Sequence, residues 1–464
     1  MRPQEAFIKE TTNKIADRDF RQKVSVLLDG NEKKRQQALS DFSNIELARQ
    51  RAAYIKWKVT ENLDKYLVDF EAAIIRKGGK VIWAFDGANA LAEIDQIILK
   101  NKALKIVKSR SSLCDEIGLN AHLKAKGQTI VETDLGDYIM TSLNEKAFHP
   151  ILPAIHKTLP EINKLLNRQI KSSLEADENE LVSDVRAELR NKFFEADIGI
   201  TGANFLIADA GLVAITENDG NARLSFAFAK THIVLASIDK LLPTINELDL
   251  FFALLASHST GQQLTSYNTI TGPRNKEDVD SPTDFIVILL DNGRSNILAT
   301  QDQRQALSCI KCGACSNVCP IFKNSGGAPS YQSYGSGPIG QVYGPMQQGL
   351  EEYKYLSYAS TICGKCSDVC PVKIDIHNNL LRNRHDSVQQ GFEKTGEKLA
   401  WYTWKKFMMN RKNLNRPASI KNFTFRQLYK DEWGTQREFP KIAEKSFNQL
   451  WREQLLSSEK KGNR

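Results

Sequence analysis

Cysteine spacing constrains this chain more than any other feature. The sequence reads Cys309-Ile-Lys-Cys312-Gly-Ala-Cys315-Ser-Asn-Val-Cys319-Pro320 and, further on, Cys363-Gly-Lys-Cys366-Ser-Asp-Val-Cys370-Pro371. Seven of the eight cysteines in 464 residues fall in this window. The first half is the C-x2-C-x2-C-x3-C-P run of bacterial iron–sulfur proteins, where three thiolates wrap one cluster and the fourth reaches another. Two clusters are therefore expected. Cys309, Cys312, Cys315 and Cys370 would hold the first as a [4Fe-4S] cube, and Cys319, Cys363 and Cys366 the second. Zinc knuckles would need two four-ligand tetrahedral sites, which seven tightly spaced thiolates suit poorly. A disulfide framework belongs to secreted chains, and nothing marks this one as secreted.

The second cluster lacks a thiolate. A complete second run would carry a cysteine three residues before Cys363, where this chain has Ser360. That cluster is expected to be either [3Fe-4S] or [4Fe-4S] with one open iron. Cys114 lies about 200 residues upstream and reads as a buried packing residue.

The remaining chain points to an ordinary globular protein, 41% hydrophobic and 25% charged. The amino terminus has no apolar stretch of the signal-peptide kind, and no apolar run approaches the length of a membrane span. A cytoplasmic location is the expectation. The net charge of +8 is uneven, because residues 381–464 hold 19 Lys and Arg against 9 Asp and Glu. Such a tail suits an acidic partner or peripheral contact with an anionic membrane face. A solvated helical surface is the plainer alternative. No nucleic-acid-binding module accompanies the charge, so no nucleic acid is expected as a partner.

Hydrophobic periodicity divides the chain into segments. Residues 1–75 read as a helical lead-in, with Leu63, Leu67, Phe70 and Ile74 on one face. Residues 76–295 alternate strands (81–85, 104–107, 129–132) with helices (88–100, 115–126), the pattern of a largely parallel α/β sheet. Residues 161–195 read as polar helix, with Asp177-Glu-Asn-Glu180 as a solvated stretch or a helix break. Two later apolar runs, Ile233–Ala236 and Phe285–Leu290, read as strands completing that sheet. The stretch Glu217-Asn-Asp-Gly-Asn221 carries a turn signal and suggests a hairpin. Residues 296–390 form the two-cluster ferredoxin region, with a glycine-rich insert from Gly326 to Gly340 that lacks the Lys-Ser/Thr ending of a phosphate-binding loop. Residues 391–464 form a basic segment bearing Trp401, Trp404, Trp433 and Trp451. No G-x-G-x-x-G follows a strand, so the chain shows no flavin or nicotinamide fingerprint.

These residues together resemble the lactate utilization protein B family of iron–sulfur subunits. The resemblance runs through Val107-Lys-Ser-Arg110, Glu116-Ile-Gly-Leu-Asn120, Glu132-Thr-Asp-Leu-Gly136, Pro153-Ala-Ile-His-Lys157, Gly202-Ala-Asn204, Glu217–Asn221 and Asp291-Asn-Gly-Arg294. It continues with Gly337-Pro-Ile-Gly340, Cys370-Pro-Val-Lys-Ile374 and Lys445-Ser-Phe447. It implies an α/β fold of the sugar-phosphate isomerase and CoA-transferase kind, then a helical two-cluster ferredoxin domain and a helical tail. It also implies electron transfer in the oxidation of L-lactate to pyruvate, together with companion lactate-utilization proteins, and a seven-cysteine cluster set. The chain departs from the family pattern at Ser112, Asp115 and Asp284-Phe285-Ile286. A rival function is carboxylate or acyl-CoA chemistry, because Glu217-Asn218 in a glycine-containing turn looks like the nucleophile motif of CoA transferases. A carboxylate nucleophile is chemically reasonable there.

Overall fold

Four helices lead the chain: α1 (Pro3–Ala16), α2 (Arg18–Ser40), α3 (Ile45–Glu61) and α4 (Leu63–Arg76). In α4, Leu63, Leu67, Phe70 and Ile74 are all buried, as an amphipathic helix requires. Gly78 at φ +88° turns the chain after it, a conformation that a Cβ would strain. The computed structural model describes residues 2–275, 277, 280, 282–326, 337–393, 395–433 and 438–462. They form two compact units, Met1–Ser387 and Val388–Arg464.

An α/β layer comes next in the first unit. Its elements are β1 (Lys80–Ala84), α5 (Gly87–Asn101), β2 (Lys105–Lys108), α6 (Ser112–Glu116), α7 (Leu119–Ala125), β3 (Thr129–Glu132) and α8 (Leu135–Ser142). Then come α9 (Leu159–Ile170), α10 (Glu178–Phe194), β4 (Ile198–Gly202), β5 (Phe205–Ile207), β6 (Leu212–Glu217) and α11 (Asn221–Ala227). The layer closes with β7 (Thr231–Ser237), β8 (Leu241–Leu242), α12 (Leu248–Ser259), β9 (Tyr267–Thr271) and β10 (Asp284–Leu290).

Six of the strands make one sheet in the order β1-β10-β7-β4-β2-β3, every pair parallel. Residues along a strand face opposite sides alternately, and both sides are covered here. Phe285, Val287 and Leu289 join Leu67 and Phe70 of α4 in one core, whereas Ile286, Ile288 and Leu290 join Ile94 of α5 and Leu123 of α7 in another. Burial on both faces explains why β7 and β10 read as continuous apolar runs.

One local expectation is corrected. Glu217–Asn221 is not a hairpin turn but the entry to α11. Gly220 at φ +74° sits at the helix start, and the Glu217 carboxylate accepts from the amides of Ala222 (2.6 Å) and Arg223 (3.0 Å). Glycine and asparagine signal positive-φ positions equally well at a helix start and in a hairpin. Strand β6 accordingly leaves the parallel sheet and pairs in a second, four-stranded one, β8-β5-β6-β9.

After β10 the described residues of the first unit are helical: α13 (Arg294–Ala299), α14 (Ala314–Val318), α15 (Pro320–Ser325) and helices at Pro338–Gln348, Leu350–Tyr358, Lys365–Asp368 and Ile376–Gln389. Most of the glycine-rich insert, residues 327–336, lies outside the described residues. One large core cluster joins this region to the α/β layer, and a smaller one links Phe148 to Cys319 and Phe322. The large one contains Phe205, Leu254 and Leu255 together with Cys312, Cys315, Cys366, Cys370 and Ile376. The second unit is built of helices at Thr395–Met408, Arg411–Leu414, Ala418–Trp433 and Phe447–Gly462. Trp401, Trp404 and Trp451 are about half exposed, at 56, 46 and 51%, while the side chain of Trp433 lies outside the described residues. Among the described residues no helix is long and apolar enough to cross a membrane.

A cavity walled by strand ends and cysteine loops

Parallel α/β sheets bind ligands in the crevice beyond the carboxyl ends of their strands. This chain has a cavity of about 380 Å³ there. Its wall takes Ser109 and Arg110 after β2, Gly202 at the end of β4 and Asn204 after it, Ser237 at the end of β7 and Lys240 after it, and Arg294 after β10. The first cysteine loop also lines it, contributing Cys309, Lys311, Cys312 and Cys315 together with Cys370.

A buried ion network fixes the sheet side. Arg294 is 2% exposed; its guanidinium donates to both oxygens of Glu116 (3.0 and 2.9 Å) and to Asp239 (3.1 Å). Asn292 donates to the same Glu116 at 2.6 Å. Burial works against charge at Asp239, yet Arg294 holds its carboxyl down to about 2. Lys56 of α3, buried beneath, donates to the carbonyls of Asp239 (2.6 Å) and Leu241 (3.3 Å). Arg110 is likewise engaged, with Asp137 and with the carbonyl of Pro150 at 2.7 Å.

The seven cysteines separate into two neighbourhoods. Cys312 and Cys370 each feel the charge of Cys309, and Cys315 feels that of Cys309 and Cys312 and, more weakly, that of Cys366, where the two groups adjoin. Cys319 feels Cys363, and Cys366 feels both Cys319 and Cys363. Burial is the main cause that pushes up the thiols of Cys312, Cys315, Cys319, Cys366 and Cys370, to about 11 at Cys370 and about 12 at Cys366, with neighbouring thiols adding to it. A bound metal reverses that balance, because it deprotonates a coordinating thiol outright. Cys309 is partly exposed on the cavity wall, and Cys363 is exposed at the surface. Cys114 is buried elsewhere, in the core beneath α6, and joins neither group.

Main-chain geometry at the cysteines suits anionic sulfur. The Lys311 amide donates to Cys309 Sγ (3.4 Å), Phe322 to Cys319 Sγ (3.5 Å) and Ile374 to Cys370 Sγ (3.3 Å). Amide bonds to sulfur are one of the levers on cluster potential. The two loops curl alike, with Lys311 and Gly313 at φ 61° and 78° and Ile362 and Gly364 at 55° and 82°. Where the first loop has Cys309, the second has Ser360, whose Oγ accepts from the Ile362 amide at 3.2 Å. Arg384 steadies that corner by donating to the Ser360 carbonyl at 2.9 Å. From the lead-in helices, Arg49 donates to the carbonyls of Cys370 (2.9 Å) and Asp368 (2.6 Å). Among the described residues no three His, Cys, Asp or Glu side chains converge as ligands of a single metal ion would. The donor set fits iron–sulfur clusters: two groups of thiols, supporting amides and curled loops.

Sequence reasoning missed Lys240 and Lys311. Both line the cavity beside Cys309. The only local signals were a lysine in the short turn Ile238–Lys240 after a buried strand and a lysine inside the cysteine loop. Glu217 also lines the cavity, but both its oxygens are engaged by α11 amides.

Comparison with known proteins agrees with this architecture. Residues 67–290 match the LUD domain and residues 305–374 the 4Fe-4S dicluster domain. Proteins named lactate utilization protein B from Bacillus thuringiensis (strain Al Hakam) and Bacillus cereus (strain AH187) are each 36% identical to this chain over 441 residues, covering 92% of it and 92% of their own length. A crystal structure of a DUF162 family protein from Deinococcus radiodurans covers 49% of this chain and 98% of its own at 14% identity and a TM-score of 0.29, too slight a likeness to carry weight. An α/β layer running into a helical dicluster region, matched over nearly its whole length by such relatives, places this chain in the lactate utilization protein B family.

Proposed function

We propose that this chain is the electron-transfer subunit of a lactate-oxidising system, taking electrons at its cavity and passing them toward an exposed edge at Cys363. The observation that carries this reading is placement. Cys309, Cys312, Cys315 and Cys370 form one wall of the cavity, while the second thiol group ends at exposed Cys363. Clusters bound at these two groups would accept and release single electrons. The chain's own residues keep the path buried, since Cys312, Cys315, Cys319, Cys366 and Cys370 are all nearly inaccessible to water. Arg49, Arg384 and the loop amides hold the cysteine loops in register.

The finer assignment rests on the thiol neighbourhoods. Cys309, Cys312, Cys315 and Cys370 would hold a [4Fe-4S] cluster, and Cys319, Cys363 and Cys366 a second one with an open or missing iron beside Ser360. Removal of the hydrogens of lactate is assigned to companion proteins, because this sequence carries no flavin or nicotinamide fingerprint. Glu217 is a poor nucleophile for the acyl-CoA alternative, since its carboxylate is spent on α11. The test is anaerobic spectroscopy of the cluster absorbance. Lactate should bleach it when the neighbouring lactate-utilization proteins are present and leave it unchanged when they are omitted. Rapid bleaching of the isolated chain by lactate would show that it carries the whole reaction.

A further inference from the structure

We infer that Lys240 and Lys311 are the counter-charges of the first cluster, two fixed cations that raise its reduction potential so that a buried site can take up an electron. The inference deepens the function proposed above. It rests on the assignment of Cys309, Cys312, Cys315 and Cys370 to one cluster, and it adds two positioning residues for electron uptake.

Uptake of one electron adds one negative charge, forms no bond and moves no proton. In a buried place such a charge is costly unless one of opposite sign meets it. Cys312, Cys315 and Cys370 are only 8, 9 and 7% exposed, so water is kept from answering the charge there. Net charge and burial are two of the levers on cluster potential, and here the chain supplies the cations itself. Four of them line the same cavity as the thiols: Arg110, Lys240, Arg294 and Lys311. The arginines are engaged by carboxylates, Arg294 by Glu116 and Asp239 and Arg110 by Asp137. Among the described residues neither lysine forms an ion pair, and the charge of Cys309 acts on Lys240. Asp239, whose charge both lysines feel, is already bonded by Arg294 at 3.1 Å.

Both lysines are held in place. Lys240 follows Asp239, which is pinned on two sides, its carboxylate by Arg294 and its carbonyl by Lys56 at 2.6 Å. Lys311 stands in the cysteine loop at φ 61°, its ammonium 4.4 Å from the centre of the Tyr343 ring. The Tyr343 hydroxyl in turn donates to the Ala306 carbonyl at 2.9 Å. Lysine is a compact point charge, and outer-shell partners of this kind tune a metal site without ligating it.

The second group of thiols is arranged otherwise. Its loop curls like the first, yet Ile362 at φ 55° stands where the first loop has Lys311. Lys323 acts on Cys319 but is paired with Asp29 at 2.6 Å. Lys365 lies in that loop as well, but it is exposed and screened by salt and water. Cys363 is exposed too, so solvent can answer an added charge at this group.

The experiment is a potentiometric titration of the anaerobically purified full chain, followed by electron paramagnetic resonance, with iron content measured for each variant. The signal that Cys312→Ser lacks marks the first cluster. Lys240→Gln and Lys311→Ile should each make that cluster about tenfold harder to reduce, a fall of about 59 mV for a one-electron couple, and leave the second where it is. Lys240→Arg keeps the charge and should keep the potential. Ile362→Lys gives the second loop the cation of the first and should raise the potential of the second cluster alone. An unchanged first potential in iron-replete Lys240→Gln and Lys311→Ile would overturn the inference, as would equal shifts of both clusters. Loss of the first cluster from both neutral variants would overturn it as well, because the lysines would then be structural. The two readings fail separately. A wild type with a single reducible cluster removes the cluster assignment, whereas two clusters whose potentials ignore the lysines remove only the counter-charges.

Discussion

Ser360 occupies in the second cysteine loop the place that Cys309 occupies in the first. Each side chain accepts from the amide two residues on, Ser360 Oγ from Ile362 at 3.2 Å and Cys309 Sγ from Lys311 at 3.4 Å. Ile362 and Lys311 share the left-handed conformation that this requires. The loop is therefore shaped for a ligand at a corner where the sequence supplies a hydroxyl, whose proton is far harder to remove than a thiol's.

The first prediction tests that corner. In air the wild type should lose one iron from the second cluster and show a three-iron signal by electron paramagnetic resonance. Ser360→Cys restores the full C-x2-C-x2-C-x3-C spacing and should keep a four-iron cluster under the same exposure. Identical spectra from the two proteins before and after air would refute it.

Cys312→Ser should remove the first cluster and spare the second, because Cys312 neighbours Cys309 and Cys370 and not the Cys319 group. Iron per chain should fall by about half, given cubes of equal size. The remaining spectrum should be that of the more exposed cluster. Loss of all iron in a protein that still folds would contradict the separation of the two groups.

Stability should fall as pH drops below neutrality. His232 and His258 are fully buried, and burial lowers each from 6.5 to about 3. His232 Nε2 lies 2.7 Å from the Thr201 hydroxyl, and His258 Nδ1 lies 2.9 Å from the Leu254 carbonyl. Unfolded histidine takes up a proton near pH 6.5, whereas these two resist until about pH 3. The unfolded chain thus binds more protons across that window, and stability declines as pH falls through it. One pH unit below 6.5 should cost on the order of 1 kcal/mol per histidine. Urea midpoints measured anaerobically at pH 7 and 5.5 check this, and equal midpoints would contradict it.

The basic tail is predicted to dock a partner protein or an anionic membrane face. Its helix Thr395–Met408 has no buried residue and carries Trp401 and Trp404 beside Lys405 and Lys406. Ending the chain after Lys394 should abolish association while leaving iron content unchanged. Association of the full chain should weaken as the screening length falls from about 10 Å at 0.1 M salt to about 3 Å at 1 M. Unchanged association of the shortened protein, with the same salt dependence, would show the tail to be a solvated surface.

Much of this was legible in the sequence because the signals were local. The strands at 80–84, 105–108 and 129–132 were readable from apolar runs between helical stretches, and α9 and α10 from a polar helical pattern, although the chain breaks at 171–177 and residues 177–180 cap and open α10. The helix expected over 115–126 is split in two, since Gly118 adopts φ +69° between α6 and α7. At Glu217–Asn221 the turn chemistry was read correctly and its continuation was not. Tertiary pairing decides whether a strand or a helix comes after a positive-φ residue, and there the Glu217 side chain starts a helix. Lys240 and Lys311 were invisible for a different reason. They come from segments some seventy residues apart, and only the folded chain brings both of them beside Cys309 at the cavity.

The shared core has a consequence for how the chain survives in a cell. Cys312, Cys315, Cys366 and Cys370 lie in one apolar cluster with Phe205, Leu254 and Leu255 of the α/β layer. Anything that binds the folded chain and not the unfolded one stabilises it by mass action. Iron supply is then a quality-control input as well as a cofactor supply. A chain made under iron scarcity would sit closer to its unfolding threshold, and proteases would remove it, so abundance itself would report metal status.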